Sequence, residues 1–360
     1  MHGLSSVVGP NLGALILSIT GSWQWMFLIN IPIVFLLFLY GRSKLNETRS
    51  KGRGRLDLIG SLLLGSSMLM MMFGITNLGE NNIFTNLFGG QVLPLFLIGS
   101  ALLLLLLLYE RYLESRGGDP IVAYSLIRQR GFQVTILLGL LSGGFLAGII
   151  FVPSFVEHVL QIPVEYAGYW LTPMALAATV GAGFGGVFTD KYGAVPAVTI
   201  AGFLGVTGFG LFMLVHELGL FVIASILAGF GLGILLGAPL NVLVGDLSPR
   251  GEKGSALGML ALIRQLGLTL FPVLYARFLT VSYGRIERHL NQSQDFQETS
   301  NSFINMGGLI GEIGKIDDVF LRRDMLTVVM NGIRSGFTNL YFIASILAIL
   351  VIMIGLYLQH

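Results

Sequence analysis

Apolar runs of 18 residues or more, nearly free of charge, recur along the whole length of this chain. That length of helix is what crosses about 30 Å of hydrocarbon. Inside a bilayer each run must satisfy its backbone hydrogen bonds internally, so the available fold is a bundle of helices. With 54% hydrophobic and 11% charged residues and a mean hydropathy of +0.80, a water-soluble core could not hide the apolar surface. Closed barrels built from alternating segments of roughly 10 residues do not fit the pattern. The fold expected is all-α, a polytopic transmembrane bundle.

Ten spans are predicted, at about 3–21, 24–41, 57–78, 92–109, 132–156, 166–188, 196–215, 218–242, 254–280 and 336–358. The short connections sort by charge. Residues 41–55 carry Arg42, Lys44, Arg49, Lys51, Arg53 and Arg55, and residues 110–130 carry Arg111, Arg116, Arg128 and Arg130, whereas 79–91, 157–165 and 216–219 hold no Lys or Arg. The basic set is therefore expected on the cytoplasmic side and the other outside, with His360 inside. Residues 281–335 are predicted to be a long external loop, in which 307–333 has the apolar spacing of a helix lying at the membrane interface. Met1 stands directly against helix-like sequence, without the basic lead of a cleavable signal.

Several chemistries are excluded by residue type. There is no cysteine, and the five histidines, at 2, 158, 216, 289 and 360, do not cluster, so neither thiolate chemistry nor a metal site is expected. GAGFGG at 181–186 satisfies the spacing G-x-G-x-x-G, but it lies in an apolar span with no strand before it and reads as helix packing rather than dinucleotide binding. No nucleophile, metal set or carboxylate pair is placed within the predicted spans, so an enzyme is not expected, nor a cofactor or a nucleic-acid partner. The Met-rich stretch 68–72 reads as adaptable filler.

In the first span Gly9, Pro10 and Gly13 share a face on which absent side chains would let a neighbouring helix approach closely. GPNLGA followed by SWQWMFLINIPI resembles the fifth and sixth spans of the 14-span drug:proton antiporter-2 family of the major facilitator superfamily. Gly9, Pro10 and Gly13 match its antiporter motif, with Ala14 and Ser5 departing from it. Trp23, Trp25, Phe27, Asn30 and Pro32 match the signature that follows, with Gln24 in place of Arg. GGVFTDKYGAVP resembles the superfamily's cytoplasmic loop motif at Gly186, Asp190, Lys191 and Gly193, while Ala194 and Val195 replace its last basic residues. On local grounds Asp190 reads as a carboxylate just ahead of a helix start.

The resemblance implies that the chain is N-terminally truncated relative to the family and carries its spans five to fourteen. Residues 1–41 would be the last two helices of the N-terminal bundle, 42–130 two linker spans, and 131–360 the C-terminal six-helix bundle. It further implies a monomeric, multi-pass carrier of the bacterial cell membrane that exports amphipathic or cationic drug-like compounds in exchange for protons. A transport-inactive fragment and a metabolite exporter of the same superfamily remain as alternatives.

Candidate substrate-lining residues are Asn30, Trp170, Asn241, Arg264 and Gln265. Arg264 stands out because it lies well inside a span, where an ionisable group is expensive. Glu157 and His158, at an external rim, are the candidate proton-coupling pair, since a carboxylate beside an imidazole exchanges protons over physiological pH. Asp57, Asp190 and Asp246 read as capping or topological residues. With no carboxylate placed in mid-membrane, the main coupling group is expected in the four spans absent from this chain.

Overall fold

A computed structural model describes residues 2–44, 57–78, 89–118, 120–122, 124–248, 253–291, 313 and 319–359. The long helices among them are α1 (His2–Thr20), α2 (Asn30–Lys44), α3 (Leu58–Thr76), α4 (Leu93–Ser115), α5 (Arg130–Ile150), α6 (Thr172–Tyr192), α7 (Ala194–Phe212), α8 (Leu218–Leu236), α9 (Ala238–Leu247), α10 (Lys253–Asn291) and α11 (Val319–Gln359). Shorter turns of helix at Trp25–Leu28, Tyr124–Ile127, Val152–His158, Val164–Ala167 and Gly168–Leu171 join them. Among the described residues nine helical stretches are long and apolar enough to cross a membrane, and α1 adds a shorter apolar piece, Asn11–Thr20. All ten predicted spans thus coincide with helices. The basic residues Arg49, Lys51, Arg53 and Arg55 lie outside the described residues.

Residue type sets several helix boundaries. Asp57 begins α3 by accepting the Gly60 N–H at 2.8 Å, which satisfies one of the donors left open at a helix start. Proline stands in the opening turns of α4, α6 and α9, where a missing N–H leaves no bond unmade. Gly193 separates α6 from α7 at φ +92°, a conformation side chains rarely adopt, so the reversal is a single residue long. Gly237 breaks α8 from α9 within one apolar run.

Helices α5 to α11 pack around one continuous apolar core, whose largest wholly buried side chains include Phe145, Phe209, Phe212, Phe221, Tyr275 and Tyr341. Small residues decide which helices touch. A Cβ on Gly185 of α6 would stand 2.9 Å from the backbone of Ile234 on α8, and one on Gly181 would strike the Phe230 carbonyl. Gly181 and Gly185 of GAGFGG therefore form a packing seam, whereas Gly183 and Gly186 meet nothing within 4 Å. One end of the core is a set of rings around Phe155, which meets Phe212, Phe337 and Tyr341 edge-on at 5.4–5.7 Å between centroids.

Helices α3 and α4 form a separate hairpin, joined where Ser67 Oγ donates to the Gly99 carbonyl at 2.9 Å. It docks on α10 through Ile75, Leu78, Val92 and Phe96 against Leu270, Val273 and Leu274. Helix α2 has no buried residue at all, and Phe35, Leu36, Leu37 and Phe38 are all exposed. Aromatic and leucine surface of that kind fits lipid or other helices, not water.

Three expectations are corrected. The predicted loop 281–335 is helical at both ends: α10 continues to Asn291 and α11 begins at Val319. Residues 319–335 are not a separate interfacial helix, because their apolar face is buried against α10, with Val329, Ile333 and Ile286 all shielded. At 39 and 41 residues, each helix is about 60 Å long, roughly twice the hydrocarbon thickness. Residues 292–312 and 314–318 of that predicted loop lie outside the described residues. Second, Asp190 does not cap α7. It sits in the last turn of α6, which runs on to Tyr192, and Gly193 takes the cap position without a side-chain bond. Third, the predicted end of the fourth span at residue 109 is too early. Helix α4 continues to Ser115, and Glu110 is buried within it.

Candidate transport site

Arg264 is placed by a close backbone contact between α5 and α10. Gly143 of α5 and Gly267 of α10 face each other so tightly that a Cβ on Gly143 would lie 2.6 Å from the Leu268 nitrogen and 2.8 Å from the Gly267 Cα. With the two backbones in contact, the side chain of Arg264 reaches across, and its Nε donates to Ser142 Oγ at 3.2 Å. Ser142 is wholly buried and itself donates to the Gly139 carbonyl at 2.6 Å. The Nη2 of Arg264 is buried and has no partner. A guanidinium has five donors, and leaving one unmade in a dry interior is costly. Further along the same seam Tyr275 donates its hydroxyl to the Gly144 carbonyl at 3.1 Å.

The remaining lining candidates are not gathered around Arg264. Gln265 follows it directly but is exposed, since successive helical residues point about 100° apart. Asn241 is exposed in α9 and donates to its own helix at the Gly237 carbonyl. Asn30 is exposed in α2 and donates to the Met26 carbonyl. Trp170 is half-buried against the aromatic core, edge-on to Phe221 at 6.0 Å.

Glu157 and His158 end the short helix Val152–His158. His158 Nδ1 lies 2.9 Å from the Ser154 carbonyl and 3.7 Å from Glu157 Oε2, so the ring is held by the backbone with the carboxylate just beyond hydrogen-bonding reach. Gln161 Nε2 donates to the His158 carbonyl at 2.7 Å, fixing the turn below the pair.

The face carrying Gly9 and Gly13 does not make the close contact expected of it. Gly9 has open space, and Gly13 meets only Met26 Sδ at 3.9 Å; of Pro10 only its place in α1 is described. The side of α1 that packs is the one carrying Asn11 and Ala14. Asn11 Nδ2 donates to Thr172 Oγ1 at 2.7 Å, tying α1 to the start of α6, and Ala14 is buried. Neither Asn11 nor Thr172 was singled out in the sequence, although an amide two residues from a conspicuous glycine could have been noted. In the loop motif Gly186 has no neighbour within reach of a Cβ, Asp190 is exposed, and Lys191 Nζ lies 5.1 Å from the Tyr192 ring centroid. Among the described residues no group of three or more potential metal ligands occurs.

A family model described as "Major Facilitator Superfamily" matches residues 1–272. "Uncharacterized MFS-type transporter YfiU" of Bacillus subtilis (strain 168) is 43% identical over 98% of this chain and 70% of its own length. "Multidrug resistance protein 3" of the same organism is 26% identical over 96% of this chain and 67% of its own length. "Multidrug transporter protein MdtP", also from Bacillus subtilis (strain 168), is 27% identical over 68% of this chain and 44% of its own length.

Proposed function

The chain belongs to the Major Facilitator Superfamily, and from that premise we propose that it works as a secondary exporter of drug-like compounds, driven by proton exchange, with Arg264 in the substrate path. It is a membrane transporter and not an enzyme. In carriers of this kind two helical bundles rock about a site near the bilayer midplane. Helices α5 to α11 supply one such bundle, α1 and α2 belong to the other, and α3 and α4 are the linker pair of a 14-span carrier whose spans five to fourteen these eleven helices represent, with α8 and α9 forming one crossing.

The observation that carries the reading is Arg264: a charged side chain inside an apolar bundle, held on one side by Ser142 and with a buried donor still open. A polar group left unmatched in this way is paired when a ligand or a neighbouring helix arrives. Relatives named as multidrug proteins supply the substrate class. The Asn11–Thr172 bond serves as a latch between bundles, because its two halves sit on helices assigned to opposite sides. Glu157 and His158 serve as the coupling pair at the rim.

Efflux of a fluorescent amphipathic dye from cells producing the 360-residue chain tests the reading, with and without a protonophore. Efflux that the protonophore abolishes supports proton-driven export. Protein present in the membrane with no efflux supports the inactive-fragment alternative, and efflux indifferent to the protonophore removes the proton from the scheme.

A further inference from the structure

Asp57 and Glu110 come together where the α3–α4 hairpin meets the segment leading to α5, far in sequence and unconnected to the groups assigned above. Glu110 is wholly buried in α4, and Asp57 is 8% exposed at the start of α3. Both are aimed into the space left by Gly60: Glu110 Oε1 stands 2.9 Å from where a Cβ on that residue would be, and Asp57 Oδ2 is closer still. Asp57 Oδ1 is used by the Gly60 N–H. Asp57 Oδ2 and both oxygens of Glu110 are buried with no hydrogen-bond partner.

Among the described residues no counter-charge is in contact with the pair. The Tyr109 hydroxyl lies near Asp57, and the amides of Ile121 and Val122 approach Glu110, but none of these donors completes hydrogen-bond geometry with Asp57 Oδ2 or with Glu110. The charged groups on the neighbouring segment, Arg111, Glu114 and Arg128, line a separate cleft, where Arg111 lies over the Tyr124 ring and Glu114 accepts the Ser125 N–H. On α10, which packs against α3, Arg277 donates its Nε to the Leu78 carbonyl at the opposite end of that helix. Two ionised carboxylates left side by side out of water, with the Gly60 N–H the one donor in hydrogen-bond geometry among the described residues, are unstable: each loses its hydration and each repels the other.

We propose that Asp57 and Glu110 constitute a proton-binding site, a carboxyl–carboxylate pair sharing one proton between Asp57 Oδ2 and Glu110. The protonated carboxyl becomes the donor that the site otherwise lacks, and the pair then carries a single negative charge. Gly60 is required because any side chain there would separate the two groups. Loss of the shared proton puts two like charges between the N-terminus of α3 and the last turns of α4. Proton loading therefore sets how firmly the linker hairpin is closed at the end flanked by Arg111, Arg116 and Arg128. The site does not depend on Arg264 or on what the carrier exports.

Dicyclohexylcarbodiimide tests the proposal, because it modifies protonated carboxyls in apolar surroundings and leaves ionised ones alone. Membranes containing the full chain are treated at about pH 6 and about pH 9, and the adduct on Glu110 is measured by mass spectrometry, with an expected fall of about fivefold or more at the higher pH. Asp57→Asn gives Glu110 an amide donor and removes the like charge, so its labelling at about pH 7 falls about tenfold. Asp57→Glu keeps the pair, is labelled as the parent is, and reports on the site should the Asn variant fail to reach the membrane. No adduct on either residue, equal labelling in Asp57→Asn, or protection by Na⁺ or Mg²⁺ at constant pH would each overturn it, the last by making the occupant a metal cation.

Discussion

The Nε of Arg264 and the Oγ of Ser142 lie 3.2 Å apart across the α5–α10 seam, while Nη2 of the same guanidinium is buried without a partner. The bond to Ser142 positions the group, and the open donor is what a ligand would use. Ser142→Ala should lower dye efflux only a few-fold, since interhelical hydrogen bonds in membranes average about 0.6 kcal/mol. Arg264→Ala should lower it tenfold or more, about 1.4 kcal/mol or above, at unchanged membrane abundance. Equal efflux in the Arg264→Ala variant would take Arg264 out of the substrate path and leave it a structural brace.

Gly143 and Gly267 make that arrangement possible. A Cβ on Gly267 would collide with the Leu140 carbonyl and lie 3.2 Å from the Gly143 Cα, so the obstacle is backbone and cannot swing aside. Gly267→Val should separate α5 from α10 and lower thermal stability in detergent, at about 1–3 kcal/mol for overpacking of this kind. Gly183→Ala is the control: nothing lies within 4 Å of its would-be Cβ, and the melting temperature should hold or rise. Similar melting temperatures for Gly267→Val and the parent would show that the seam is looser than the structure has it.

Span positions were legible because a bilayer imposes one length and one composition on every crossing, and the α6–α8 seam was legible because Gly181 and Gly185 share one helix face, although the same spacing at Gly9 and Gly13 makes no such contact. What failed to show were facts of distance. Asp57 was readable as a cap, and its cap bond to Gly60 is present, but nothing along the chain says that Glu110, 53 positions later, closes on the same glycine. The charge-rich sequence after Tyr109 marked a loop, whereas α4 runs six residues further because Arg111 can reach outward while Glu110 turns in. The 281–335 segment misled for a related reason. At 281–291 and 319–335 the mixed charges belong to the helices α10 and α11, and hydropathy alone cannot separate that from a loop.

Glu157 and His158 bear on pH dependence through geometry. The imidazole is anchored to the Ser154 carbonyl, and Glu157 Oε2 lies 3.7 Å from its Nδ1. If this rim couples export to protons, His158→Gln should flatten the dependence of efflux on external pH between about 6 and 8, the range in which histidine changes charge. Glu157→Gln should do the same without lowering the amount of protein in the membrane. A pH profile unaltered by either change would move coupling to another part of the carrier.

The extension of α10 and α11 beyond the bilayer is open to a direct chemical test, since the chain contains no cysteine of its own. The space where a Cβ on Gly332 would stand is 3.9 Å from the Cβ of Ile286. Paired β-carbons in disulfides lie about 3.8 Å apart on average, so the two positions already have the spacing a disulfide needs. The double variant Ile286→Cys, Gly332→Cys should cross-link on mild oxidation. After proteolysis within 292–318 its two halves should stay joined on a non-reducing gel and separate when reduced. Each single variant should separate under both conditions. Failure of the double variant to cross-link, with both thiols open to a water-soluble maleimide, would mean that residues 319–335 lie away from α10, as a separate helix along the membrane surface would.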